Sequence, residues 1–484
     1  MTPVSRRTVL GLGALGVATA AVGTAGVLTL TRPWRSTRDT VAGGSLREPA
    51  VLRSEDGSLE VTLTARSGVH EVAGVRARTL GFNGGLPGPT LVVRPGDRLR
   101  IRLVNELDEP TNLHVHGLHV SPRDNGDNVF VEVAPGGSFD YEHRLPEDHP
   151  PGLYWYHPHH HGMVADQIYG GLFGAILVED PEPVAVAADR LLVVSDITLD
   201  PDGGVLRPSP MEQMMGREGA LVLVNGQARP HVEARSGERQ RWRVLNACTS
   251  RFLSLRLDGH ELHLLGMDGG RHAEPVRTEQ VLLAPGNRAD LLVTVGRGDG
   301  VLRAVPYDRG GMGMGMGGMM RDTQEGPVRL LDLRVTGAAE PPPGLPVFAA
   351  PRDLRDEAVD ADRDLVLAMG MGMGMGRMSF TIDGREFAAD RVDQAVTAGS
   401  VEEWTIHNDS PMDHPFHLHV WPMQVLEENG RRPDRPTWLD VVNVPARGSV
   451  RMRVAFDGFD GRTVYHCHIL DHEDRGMMGV VEAT

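Results

Sequence analysis

Three segments of this 484-residue chain carry one pattern: GDRLRIRLVN at 96–105, GERQRWRVLN at 237–246 and GSVEEWTIHN at 399–408. Each opens on Gly and closes nine residues later on Asn, with apolar residues at the fifth and seventh places after the Gly. In the first copy Arg98, Leu99, Arg100, Ile101, Arg102 and Leu103 alternate charged and apolar, the period of a strand buried on one face. A turn dipeptide precedes each copy: Asn83-Gly84, Asn225-Gly226 and Asp383-Gly384. The copies lie 141 and 162 residues apart, about the span of a domain. Little of the chain has helical period, and Pro and Gly recur between short β-rich runs. These observations predict an all-β protein of three related β-sandwich domains. We place them at 45–183, 184–345 and 346–484, behind an N-terminal segment 1–44.

The richest local sequence is Tyr465-His466-Cys467-His468-Ile469-Leu470-Asp471-His472, with Met477 five residues on. A thiolate, an imidazole and a weak thioether are the ligands of a blue-copper electron-transfer centre, here Cys467, His472 and Met477. Successive side chains on a strand point to opposite faces. If Cys467 faces that centre, His466 and His468 face away from it, toward a second metal site. Three more H-x-H pairs lie upstream: His114-Val115-His116, His157-Pro158-His159 and His417-Leu418-His419. His414, three residues before His417, is free to be the second imidazole of the blue site. One H-x-H pair is a weak signal; four of them together with Cys467 are a strong one.

On these segments the chain resembles the three-domain multicopper oxidases, the family of laccases, bilirubin oxidases and bacterial cuprous oxidases. The resemblance implies cupredoxin-like Greek-key sandwiches and four copper ions, one type 1, one type 2 and two type 3. It assigns His414, Cys467, His472 and Met477 to type 1 copper. It assigns His114 and His417 to type 2, and His116, His157, His159, His419, His466 and His468 to the type 3 pair. Dioxygen is the implied oxidant. Two H-x-H pairs fall in the first domain and two in the third, so the trinuclear cluster is expected between those domains. The middle domain, free of copper ligands, is expected to act as a spacer that sets the orientation of the other two. The resemblance also suggests Asp127 and Glu473 as proton relays, since reduction of dioxygen to water consumes protons.

Two tracts of low complexity, GGMGMGMGGMM at 310–320 and MGMGMGMGRM at 369–378, are expected to form mobile loops rather than sheet. Thioethers are soft ligands that prefer Cu(I). Met369, Met371, Met373, Met375 and Met412 are therefore candidates for holding substrate copper near the blue site. The first functional reading is a cuprous oxidase acting in copper tolerance, with laccase-like side activity. The second is a laccase-like oxidase of phenols or other small organic donors. The third is a non-catalytic copper-binding protein, disfavoured because no copper ligand is missing. His119, His143, His149, His160 and His161 are read as surface or supporting groups.

Charge and cysteine content bound the setting. The formal net charge is −16, which argues against nucleic-acid and anionic-membrane partners. Only Cys248 and Cys467 are present, so with Cys467 on copper no intramolecular disulfide forms, and Cys248 is read as a small core residue. Ser5-Arg6-Arg7-Thr8-Val9-Leu10, followed by a Gly/Ala/Val/Leu run to about Leu30, reads as a twin-arginine export signal, with a plain membrane anchor as the alternative. The expected location is periplasmic, cell-surface or extracellular, with a tether through the leader if it is not removed.

Overall fold

In the computed structural model the described residues are 43–311, 326–337, 341–342, 344–371 and 378–484. The candidate export signal, most of the first Met tract, Met373 and Met375 lie outside them. Among the described residues no helix is long and apolar enough to cross a membrane.

The three repeated segments become three equivalent strands, Arg98–Asn105, Arg239–Asn246 and Val401–Asn408. Each runs parallel to an earlier strand of its sandwich (Ser58–Val72, Ala188–Ile197 or Ala361–Met371). Each is antiparallel to a later one (Ser138–Arg144, Arg288–Thr294 or Ser449–Ala455). The repeated apolar places, Ile101 and Leu103, Trp242 and Val244, Trp404 and Ile406, are all buried. They enter three separate cores, each filled by the inner faces of two sheets, the arrangement of a β-sandwich.

The closing Asn explains itself. Asn105, Asn246 and Asn408 are buried, and each donates its amide to two or more backbone carbonyls across the sandwich edge. Each also accepts the N–H two residues on, which turns the chain at the strand end. In the third copy, Asn408 thereby fixes the 408–412 turn immediately before His414.

Of the second Met tract only 369–371 and 378 are described, and these depart from the expected loop. Met369, Gly370 and Met371 pair antiparallel with Phe380, Ser379 and Met378, closing a hairpin from Ala361–Met371 to Met378–Ile382. Alternating Met and Gly is a composition of linkers, but it is also a period of two. Here it extends a ladder already set by Leu367 and Ile382.

Candidate metal centre

Strand Gly461–Cys467 lies between His414–Leu418 and Met478–Ala483, with Phe416 opposite Cys467 and His417 opposite His466. That register sends Cys467 and His466 to opposite faces. On one face, His414 Nδ1 is 3.3 Å from Cys467 Sγ. The short turn of helix Leu470–Glu473 folds His472 back, so its Nδ1 lies 3.9 Å from the sulfur and 3.4 Å from His414 Nδ1. His472 Nε2 donates to the carbonyl of Met214 at 3.0 Å, leaving the Nδ1 lone pair turned inward. Met477 is fully buried in the same apolar cluster as Cys467, Phe416 and Ile469, and Phe380 stacks on the His472 ring.

On the other face the four H-x-H pairs converge. His159 and His419 each bring Nε2 to 3.1 Å from His466 Nε2. His116 stacks on His417, and His114 on His419, both with centroids 3.8 Å apart. His157 Nε2 lies 3.5 Å from His116 Nδ1, and His468 packs 5.1 Å from the His116 ring. Ligand triplets with nitrogens or sulfur within 4.8 Å are His114/His116/His157, His114/His417/His419, His159/His419/His466 and His414/Cys467/His472.

The donor set fits soft and borderline metal ions. Burial pushes His114, His116, His157, His417, His419 and His472 well below the usual histidine range, which keeps the rings neutral with a lone pair free. The ring nitrogens His114 Nε2, His417 Nε2, His419 Nδ1 and both of His468 are buried without a hydrogen-bond partner. Such orphans are costly in a protein interior unless something electrophilic takes the lone pair. Burial also raises the Cys467 thiol, so its thiolate needs a bound cation.

The two proposed relays touch this cluster. Asp127 takes His114 Nδ1 at 2.9 Å and the N–H of Val115 at 3.0 Å, and burial raises its carboxyl to about 7. Glu473 is fully buried, with Oε2 2.9 Å from His466 Nδ1 and Oε1 3.5 Å from His159 Nε2. The first of these is a charge contact only: the aligned hydrogen bond of His466 Nδ1 goes to the Cys467 carbonyl at 3.1 Å.

Three sequence-family models, each described as multicopper oxidase, match residues 64–183, 194–301 and 362–484. The chain belongs to the multicopper oxidase family. Multicopper oxidase mco of Staphylococcus aureus is 28% identical over 90% of this chain and 92% of its own length. Cell division protein FtsP of Dickeya dadantii is 30% identical over 90% of this chain and 91% of its own. The multicopper oxidase of Campylobacter jejuni, described as a metallo-oxidase, superposes with a TM-score of 0.81 at 29% identity, covering 93% of this chain and 97% of that one. This multicopper oxidase is accordingly a copper-dependent oxidoreductase built of cupredoxin-like sandwiches.

The middle sandwich reaches the ligand segment directly. A capping box on Ser209 and Glu212, with Pro210 at the first position, forms the short helix Pro210–Met215, which sets the Met214 carbonyl on His472. Two residues on, buried Arg217 holds Asp471 through both carboxylate oxygens and also pairs with Asp166 of the first sandwich. Asp474 accepts N–H groups of Gly162, Val164 and Ala165 at the start of helix Val164–Gly170. The ligand segment 466–477 is thus clamped from both other sandwiches. Nothing in the local sequence around Arg217 or Met214 signals these roles.

Of the candidate substrate-copper residues, Met412 is fully buried in the cluster around Cys467, and Met369 is half-buried against it. Gly310, where the first Met tract begins, bridges to Met412, and the N–H of Gly311 donates to Pro411 O. Met214 and Met378 also pack on that cluster; neither was among the sequence candidates.

Proposed function

We propose that the chain is a metallo-oxidase that withdraws single electrons from Cu(I) at the Cys467 site and reduces dioxygen to water at the imidazole cluster, with laccase-like turnover of phenols as a side activity. The observation that carries this reading is the position of Cys467. Its sulfur faces His414 and His472, while its chain neighbours His466 and His468 stand among the H-x-H imidazoles. Type 1 copper would be held by His414, Cys467, His472 and Met477, type 2 by His114 and His417, and the type 3 pair by His116, His157, His159, His419, His466 and His468. Bound copper would supply the one-electron change at the first site and the capture and reduction of dioxygen at the second.

The chain's own part is placement and proton supply. Few covalent bonds separate the Cys467 sulfur from the His466 and His468 rings, which shortens the electron path. Asp127, held near neutrality by burial, can pass protons at the pH where it also orients His114. Glu473 stands against His466 and His159. Four Cu(I) leave as Cu(II) for each dioxygen that takes up four protons and becomes two waters.

Support for Cu(I) as donor comes from thioethers. Met214, Met369, Met378 and Met412 surround or back the Cys467 cluster, and soft sulfur ligands favour Cu(I). The description of the Campylobacter jejuni neighbour as a metallo-oxidase points the same way. Residues 5–10 further favour export by the twin-arginine route, for which copper tolerance outside the cytoplasm is a fitting task. Steady-state oxygen consumption with Cu(I) and with a phenol, each with and without added Cu(II), tests the donor. Strong Cu(I) turnover with copper-dependent phenol oxidation is the expected result; copper-independent phenol turnover at a higher rate favours an organic donor.

A further inference from the structure

We propose that Arg288, supplied by the middle sandwich, is a positioning residue for the imidazole cluster: through Asp440 it decides which ring nitrogen of His116 faces the metals. The inference rests on the copper reading above and adds a residue to it.

A neutral imidazole carries one N–H, so an acceptor fixed at one nitrogen leaves the lone pair on the other. In His114, His157, His417 and His466 the outward nitrogen is Nδ1. Its acceptors are Asp127 at 2.9 Å, Pro158 O at 2.9 Å, Asp440 O at 2.6 Å and Cys467 O at 3.1 Å. His116 is reversed. Its Nε2 donates to Asp440 Oδ1 at 3.0 Å, and Nδ1 is the atom turned to the cluster, 3.5 Å from His157 Nε2.

Asp440 is itself held in a fork. Arg288 Nη1 and Nη2 donate to its two oxygens at 2.5 and 2.6 Å. Arg288 Nε donates to Leu153 O at 2.9 Å, and the guanidinium sits 5.5 Å from the Tyr154 ring centroid. The side chain is 1% exposed, and it joins all three sandwiches. A guanidinium offers donors only, so both Asp440 oxygens are kept as acceptors and His116 Nε2 is kept as a donor. The backbone is fixed as well: the N–H groups of Asp440 and Val441 donate to Asp268 Oδ2 at 3.0 and 3.2 Å. The Asp440 carbonyl then takes His417 Nδ1, and the His116 and His417 rings lie parallel within 3°. One residue, clasped by Arg288 and Asp268, orients an imidazole assigned to type 3 copper and another assigned to type 2.

The surroundings are cut to fit. A Cβ on Gly117, directly after the first H-x-H pair, would lie 2.5 Å from Arg288 Nη2 and 2.6 Å from Asp440 Oδ2. A Cβ on Gly286, in the turn that leads to Arg288, would lie 2.8 Å from His468 Nε2. Both glycines also have positive φ, so larger residues are excluded twice over.

The test compares full-length wild type, R288M and R288K, loaded with copper and titrated with a competing chelator. Copper per chain and the thiolate–copper absorption of the Cys467 site are followed together. The expected result is that both variants keep the Cys467 absorption and release cluster copper about 10- to 100-fold more readily, with the magnetic coupling of the type 3 pair disturbed. R288K keeps the charge and loses the fork, so it separates orientation from neutralisation, and it decides the matter if R288M does not fold. Unchanged cluster affinity and coupling in R288K overturns the proposal, including the case where only the thermal midpoint of the copper-free protein falls. A wild-type protein that binds no copper at the imidazoles overturns the copper reading instead.

Discussion

The middle and third sandwiches share a five-stranded sheet in one strand order, with one register between the two strands that carry the ligand positions. In the third, Phe416 pairs with Cys467 and His417 with His466; in the middle, Ser254 pairs with Val305 and Leu255 with Ala304. Counting from Asn408 and Asn246, His414 corresponds to Phe252, His417 to Leu255 and His419 to Leu257. Cys467 corresponds to Val305 and His466 to Ala304. Phe252, Leu255, Leu257 and Ala304 are buried, so apolar packing fills the places that imidazoles occupy in the third sandwich. The scaffold therefore does not need metal in order to fold. The centre replaces apolar residues with lone pairs in an existing lattice, so copper is expected to stabilise the third sandwich and not the middle one.

The largest effect should come from giving the third sandwich the residue of the middle one. Cys467→Val is expected to abolish the blue absorption and catalytic oxygen consumption while leaving the far-ultraviolet β signal unchanged. Normal turnover in this variant would sink the assignment of Cys467. Next is copper removal. Ligand that binds only the folded state stabilises it by about 4 kcal/mol at a thousandfold excess over its Kd. Stripping copper should therefore cost hydrogen-exchange protection in His114–His116, His414–Leu418 and Gly461–Cys467. Leu253–Leu257 and Gly300–Val305 should keep theirs. Equal losses in both sandwiches would erase the contrast.

An effect of similar size tests how the middle sandwich holds its neighbour. Arg217→Met strands the buried Asp471 carboxylate and should cost about 3–5 kcal/mol in denaturant unfolding. The double variant Arg217→Met, Asp471→Leu removes both charges and should recover most of that loss. If the two variants are equally unstable, the pair is not what clamps the ligand segment.

The parts of this centre that are legible in the sequence are local. The Gly-to-Asn repeat marks three strands, and H-x-H spacing marks which imidazoles share a face. Cys467 between His466 and His468 marks the join of the two sites. What escapes is long-range. Arg288 and Asp440 are 152 positions apart, and neither stands in a motif. Arg217 meets Asp471 across 254 positions. The spacer reading of the middle domain names no residue, because absence of ligands says nothing about which side chains hold ligands in place. Composition marks 369–371 as loop, although the alternation of Met and Gly there also satisfies a strand. His143 was read as a surface or supporting group, yet Tyr141 and His143 alternate with exposed neighbours and both face the core.

His143 separates burial from metal ligation within the first sandwich. Like the cluster imidazoles it is fully buried, and neither ring nitrogen has a hydrogen-bond partner, but it stands outside every ligand group. Burial lowers it from 6.5 to about 4. A histidine depressed on folding binds its proton better when unfolded. Its contribution is therefore intact above about pH 6.5 and is lost as pH falls through about 4. A fall from 6.5 to about 4 corresponds to at most about 3.4 kcal/mol. His143→Leu keeps the volume and removes this contribution. Urea unfolding of the copper-free proteins should give similar stabilities at pH 7.5. At pH 4.5 the variant should exceed wild type by up to about 2.5 kcal/mol, since titration there is incomplete. The metal-site histidines titrate in both proteins and cancel in the difference. Parallel pH profiles would mean that His143 is solvated in the native state, and that burial alone does not keep an imidazole neutral in this fold.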